Sequence, residues 1–287
     1  MKTIKPTSHA VREHYTIAGG FKTRHLEAGP AGAQSVVLLH DGAWGGSSSA
    51  TWGNFIPALA ENFRVIAIDM LGFGGTDKAV FLDRSPYEPR IAHVAALLTA
   101  LGIDTPVHLV GNSFGGSLAL RWLADGSPGT IRSVTSINGT GGPWRTPLAL
   151  AELGRWDGTR QDLRRIVELL TGEFDGIEAQ LDDRLRWASE PGHYRAMTAV
   201  MVPLPEALVA TRPTDNWPRQ LSGKQTPTLL VKGSQDVLLE PDWTSHFEEI
   251  MPAAEVATLN CRHEPNIDNP QLLLPVLVDF LTRVDEG

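Results

Sequence analysis

An α/β architecture, with a mainly parallel central sheet, helices on both faces and an inserted helical cap, is what three features of this 287-residue chain predict. Short apolar runs rich in β-branched residues alternate with segments of helical periodicity. The alternation lapses between residues 139 and 217, where only helical patterns occur, and then resumes to the C-terminus. The expected layout is a core of residues 1–138 and 218–287, interrupted by a cap of residues 139–217.

The elements follow in order. "EHYTIAGGFKTRHLEAG" reads as two strands joined at Ala18-Gly19-Gly20, an opening hairpin. "SVVLLH" and "FRVIAIDM" are apolar runs suited to strands buried on both faces, with a short helix expected between them over "TWGNFIPALAEN". Tyr87 to Gly102 has helical spacing and a glycine stop; "VHLVGN" is the next strand, "SLALRWLADG" the next helix and "IRSVTSING" the next strand. In the cap, "RQDLRRIVELLTGEF", "GIEAQLDDRLRWASE" and "HYRAMTAVMV" read as helices. "TPTLLVKG", a helix near "DWTSHFEEIM", the strand "AEVATLN" and the helix "NPQLLLPVLVDFLTRV" complete the core.

With 42% hydrophobic and 20% charged residues, the chain has the composition of a folded globule. A net charge of -8 argues against a nucleic-acid partner and against an anionic membrane surface. The single cysteine, Cys261, has no partner for an internal disulfide or a structural zinc site, and no metal is expected. The N-terminal segment lacks the apolar core of a signal peptide, and no apolar run approaches the ~18 residues of a membrane span, so the expected location is the cytoplasm.

"VHLVGNSFGGSLALRW" carries the chemistry. Gly111-Asn112-Ser113-Phe114-Gly115 has the spacing G-x-S-x-G between a strand and a helix. A serine on so sharp a turn is strained and exposed, side chains two residues to either side would collide with backbone, and the helix N-terminus aims N–H groups at a developing oxyanion. A serine hydroxyl needs a base, and the base an orienting acid. In the α/β-hydrolases, which this elbow resembles, the order along the chain is serine, then Asp or Glu, then histidine. Asp236 follows "TPTLLVKG" and His263 follows "AEVATLN", both past the carboxyl ends of strands, where open parallel sheets bind ligands. Glu240 is the rival acid, farther down its loop; His108 and His40 precede or interrupt this order. Candidate oxyanion donors are the backbone N–H groups of Gly42, in the loop "HDGAWGGSSSATW", and of Phe114. "GGSSSA" lacks the Lys-Ser/Thr of a phosphate loop, and no cofactor is expected.

"TWGNFIPALAENFRVIAIDMLGFGGTDK" and "LVGNSFGGSLAL", with the surroundings of Asp236 and His263, resemble the α/β-hydrolase superfamily, and within it the meta-cleavage-product hydrolases. That resemblance implies the α/β-hydrolase fold and hydrolysis of a carbon–carbon bond in a 2-hydroxy-6-oxo-dienoate ring-fission product, whose dienol becomes a ketone so that the carbon leaving group departs as a delocalised dienolate. It also implies substrate contacts for Asn112, for Arg184 as a bidentate grip on the substrate carboxylate with Arg186 as rival, for Trp217 at the return from cap to core, and for Ala43 and Thr51 in the oxyanion-side loop. A small-molecule substrate follows, and a homodimer is common in such families. Trp144, Trp156, Trp187 and Trp217, with Met197 and Met201, offer either an apolar acyl pocket or packing of cap on core.

The sequence departs from the family pattern at Asp41 and Trp44, where small residues are usual, at Thr51, often Asn, and at Glu264, commonly Trp. These departures keep open a carboxylesterase or lactonase using the same three residues, and a non-catalytic relative that only binds a ligand. Arg184→Ala separates the first from carbon–carbon cleavage, and turnover dependent on Ser113 excludes the second.

Overall fold

The structure is a computed structural model that describes residues 10–126, 131–199, 201–210 and 214–287. Its centre is an eight-stranded sheet in the order β1-β2-β4-β3-β5-β6-β7-β8. β1 (Arg12–Ala18) and β2 (Phe21–Ala28) form the hairpin expected at Gly19-Gly20, and β2 runs antiparallel to β4. From β4 onward every pairing is parallel.

β3 (Ser35–Leu39) is followed by α1 (Ser48–Trp52) and α2 (Ile56–Leu59), then β4 (Arg64–Ile68). The single helix expected over residues 51–62 is thus two short ones, broken at Gly53-Asn54 and restarted at Pro57, whose fixed φ suits a first turn. α3 (Glu88–Ala100), β5 (Val107–Asn112), α4 (Phe114–Asp125) and β6 (Ile131–Ile137) complete the first part of the core.

Side chains alternate across β3 and divide the core in two. Val37 and Leu39 pack with Val94 and Leu97 of α3 and with Leu118 and Trp122 of α4. Val36 and Leu38 pack on the other face with Trp52, Ile56, Leu277 and Phe280. Burial on both faces is the reason these strands read as unbroken apolar runs.

Between β6 and β7 the chain forms α5 (Pro147–Glu152), α6 (Arg160–Leu170), α7 (Ile177–Ala188), α8 (His193–Ala199) and α9 (Glu206–Val209). Thr159 caps α6 by accepting from the N–H of Asp162, and Leu163, Ile166, Val167 and Leu170 make one apolar stripe. That stripe packs with Ile177 and Leu181 of α7 and with Ala43 and Trp44 of the core loop, so α6 and α7 are seated over the end of β3.

β7 (Thr228–Gly233), α10 (Ser245–Glu248), β8 (Glu255–Leu259), α11 (Pro265–Asp268) and α12 (Pro270–Glu286) close the fold. The helix expected near residues 242–251 is confined to Ser245–Glu248, and α11 is too short for periodicity to reveal. Among the described residues no helix is long and apolar enough to cross a membrane.

Candidate active site

Ser113 stands between the last residue of β5 and the first of α4, with φ 54° and ψ -113°. A non-glycine residue there is strained, and the neighbouring glycines are what the turn demands. A Cβ on Gly111 would lie 2.1 Å from the carbonyl carbon of Gly115, and one on Gly115 would lie 2.1 Å from the carbonyl oxygen of Leu39. The Ser113 N–H donates to Ile137 of β6 at 2.8 Å, so the elbow is tied to the sheet.

Three residues distant in sequence meet at this point. His263 Nδ1 lies 2.6 Å from Asp236 Oδ2, and His263 Nε2 lies 2.8 Å from Ser113 Oγ. An ionised carboxylate only accepts, so Nδ1 carries the proton and Nε2 presents its lone pair to the serine hydroxyl. Asp236 is fixed in turn, its Oδ1 accepting from the Leu238 N–H at 2.8 Å. Burial disfavours the imidazolium, but the charge and hydrogen bond of Asp236, with help from the Asp41 charge, leave the His263 pKa raised above its ordinary value. A chain of this kind can take the hydroxyl proton as the oxygen attacks a carbonyl.

The loop bearing His263 is held from two sides. Its carbonyl accepts from Asn112 Nδ2 at 3.0 Å and from Asn138 Nδ2 at 2.9 Å, while its N–H donates to Leu170 at the end of α6. Asn112 is therefore a buried strut beneath the histidine, with its Oδ1 unpartnered. Asn138, at φ 47°, went unnoticed in the sequence because nothing in "SING" distinguishes a strand end from a strut.

On the oxyanion side, a Cβ on Gly42 would lie 2.8 Å from Phe114 Cβ, so the two candidate N–H donors belong to backbones in close approach. Phe114 opens α4, where an N–H has no partner within the helix. His40 orders the loop: its Nε2 accepts from the Met70 N–H at 3.0 Å, which leaves Nδ1–H to donate to the Asp41 carbonyl at 2.6 Å. The Ala43 N–H is taken by Asp41 Oδ1 at 2.8 Å, and the Thr51 hydroxyl donates to Asp41 Oδ2 at 2.5 Å.

Asp41 and Glu264, two departures from the family pattern, have one explanation. Both reach Arg184, and all three residues are fully buried. The guanidinium donates to Asp41 Oδ1 at 3.1 Å and Oδ2 at 2.9 Å, and to Glu264 Oε2 at 2.9 Å. Burial pushes the Asp41 carboxyl up, but the Arg184 charge and hydrogen bonds overcome it and hold the pKa at about 2. Glu264 is pushed up to about 8 by burial and by the Asp41 charge, which one shared guanidinium does not offset.

The aromatic residues are mostly spoken for. Trp217 donates Nε1–H to Thr140 at 2.8 Å and lies beneath the Arg121 guanidinium, 4.0 Å from the ring centre. Trp144 stacks on His246 with centres 4.4 Å apart, Trp156 lies against Trp44, and Trp187 donates to Ser49 Oγ at 3.1 Å. Met197 packs against two apolar clusters, that of Leu39 and Leu118 and that of Leu163 and Leu181, whereas Met201 is exposed.

Residues 35–270 match the alpha/beta hydrolase fold family. The chain is 29% identical to a 2-hydroxy-6-oxo-6-(2'-aminophenyl)hexa-2,4-dienoic acid hydrolase of Metapseudomonas resinovorans, over 94% of this chain and 91% of that one. It is 26% identical to a 2-hydroxy-6-oxo-2,4-heptadienoate hydrolase of Pseudomonas putida, over 94% and 96%. Among solved structures it is similar to the 2-hydroxy-6-oxo-6-phenylhexa-2,4-dienoate hydrolase of Rhodococcus sp. strain RHA1, with a TM-score of 0.82, 26% identity and coverage of 96% and 99%.

Proposed function

This chain belongs to the alpha/beta hydrolase fold family, and on that premise we propose that it hydrolyses a carbon–carbon bond in a 2-hydroxy-6-oxo-dienoate-type ring-fission product. The observation that carries the reading is the unbroken hydrogen-bond run Ser113–His263–Asp236, in a chain similar over nearly its whole length to dienoate hydrolases. In this proposal the dienol first becomes its keto tautomer, gaining a proton at the carbon beside the bond to be cleaved, and the Ser113 oxygen then attacks the ketone carbon while His263 takes its proton. Asp236 offsets the imidazolium charge, and the N–H groups of Gly42 and Phe114 receive the oxyanion. The carbon–carbon bond then breaks toward the dienolate, which His263 protonates, and water releases the acyl group from Ser113 as an acid. Residues 139–217 act as the cap over this site, and the work is done in the cytoplasm.

One observation favours a second reading. Arg184 is already engaged by Asp41 and Glu264 of its own chain, which suits an ester or lactone lacking an acid group. The test is loss of absorbance of a yellow 2-hydroxy-6-oxo-dienoate by purified protein, beside a p-nitrophenyl ester and a Ser113→Ala control. Rapid bleaching with slow ester turnover is the expected result. Ser113-dependent ester cleavage without bleaching transfers the assignment to an esterase or lactonase.

A further inference from the structure

A dienoate substrate brings a carboxylate into the protein, and the buried guanidinium of Arg184 has its carboxylate-facing nitrogens occupied by Asp41 and Glu264. Arg90, in the first turn of α3, shares with Arg184 a buried Nε without a partner but differs in its company. Among the described residues it makes no ion pair: one terminal nitrogen donates to the Pro86 carbonyl at 2.7 Å, and its Nε is buried without a partner. Its guanidinium carbon lies 5.3 Å from the ring centre of Phe114 and 5.4 Å from that of Phe73. Phe114 is the residue after the serine, and it also stacks on Tyr87 with ring centres 5.3 Å apart. Burial, opposed only by Tyr87, lowers the Arg90 pKa to about 10, the behaviour of a cation lacking its anion. Lys78, which also reaches Phe73, is instead spent on the carbonyls of Phe73, Gly74 and Thr76.

We infer that Arg90, cradled by Phe73, Tyr87 and Phe114, is the residue that binds the substrate carboxylate, while Arg184 is an internal tie between the Asp41 and Glu264 loops. A planar guanidinium with donors left over donates two parallel hydrogen bonds to a carboxylate, and the flanking rings suit a flat conjugated chain. The inference rests on the dienoate reading for its substrate class.

The test is titration calorimetry on the Ser113→Ala protein with 2,4-hexadienoate and with its neutral counterpart 2,4-hexadienamide. Binding in place of turnover leaves this result readable even if the bleaching assay of the unaltered chain fails. The acid is expected to bind more tightly than the amide. Arg90→Gln should weaken the acid by about ten-fold or more while changing the amide by less than about two-fold, and Arg90→Lys should recover part of the loss. Equal affinity for acid and amide before the Arg90 change overturns the inference, as does no binding of either. So does an Arg90→Gln protein, folded by circular dichroism, that keeps its preference for the acid.

Discussion

Glu264→Gln removes a charge while keeping a side chain of the same shape, and its effect on stability is set by the pKa of the group it replaces. The native carboxyl keeps its proton up to about pH 8, whereas the unfolded chain releases it near the ordinary value of 4.5. Between those values the native state binds the extra proton, so stability falls as pH rises, by about 1.4 kcal/mol per unit where protonation is complete. Allowing for the tapering near the upper value, the parent protein loses about 2 kcal/mol between pH 6 and pH 8 from this group alone. For a chain of this size that is roughly 4 °C in Tm. The amide that replaces the carboxyl cannot titrate, and its oxygen can still accept from Arg184, so the variant should lack this decline. The assay is thermal unfolding of both proteins at half-unit steps from pH 6 to 8, with the difference between the two curves cancelling groups common to both. A difference that stays flat to within about 1 °C would refute the view that Glu264 is held protonated by burial and by Asp41.

Ser113→Ala should leave the fold intact and lower turnover by about 10³-fold or more, read with the substrate of the bleaching assay or with an ester. Asp236→Asn, which leaves His263 without the carboxylate that fixes its tautomer, should cost about 10³–10⁴-fold in kcat. Because the His263 pKa is raised and the base must be neutral, the acid limb of kcat/KM should have its midpoint above the ordinary histidine value of 6.5; in Asp236→Asn that midpoint should fall. Gly111→Ala places a methyl group 2.1 Å from a backbone carbon, so soluble expression or Tm should drop sharply; an unchanged Tm would mean the elbow has room to spare. Arg184→Gln leaves two buried acids sharing no cation and should destabilise by about 3–5 kcal/mol at neutral pH, measured by urea unfolding.

What the sequence determined by itself was the part encoded in local pattern. Strands such as Ser35–Leu39 are buried on both faces and so are written as continuous apolar runs, and the Gly111 to Gly115 elbow is written as glycine because backbone passes where a Cβ would be. The chain order of Ser113, Asp236 and His263 followed from strand ends that the same patterns located. The break at Gly53 was visible in principle, since glycine and proline together interrupt a helix, but its position is decided by how α1 and α2 pack under β3 and β4. Only the tertiary structure decided the partners of charge. Asp41 and Glu264 lie 143 and 80 residues from Arg184 along the chain, and no local pattern says that two acids will share one buried guanidinium. For the same reason Arg90 reads as an ordinary helix charge in sequence. Whether a cation is spent or free depends on what surrounds it in space, and ion pairing acts through distances that the chain sets only once it is folded.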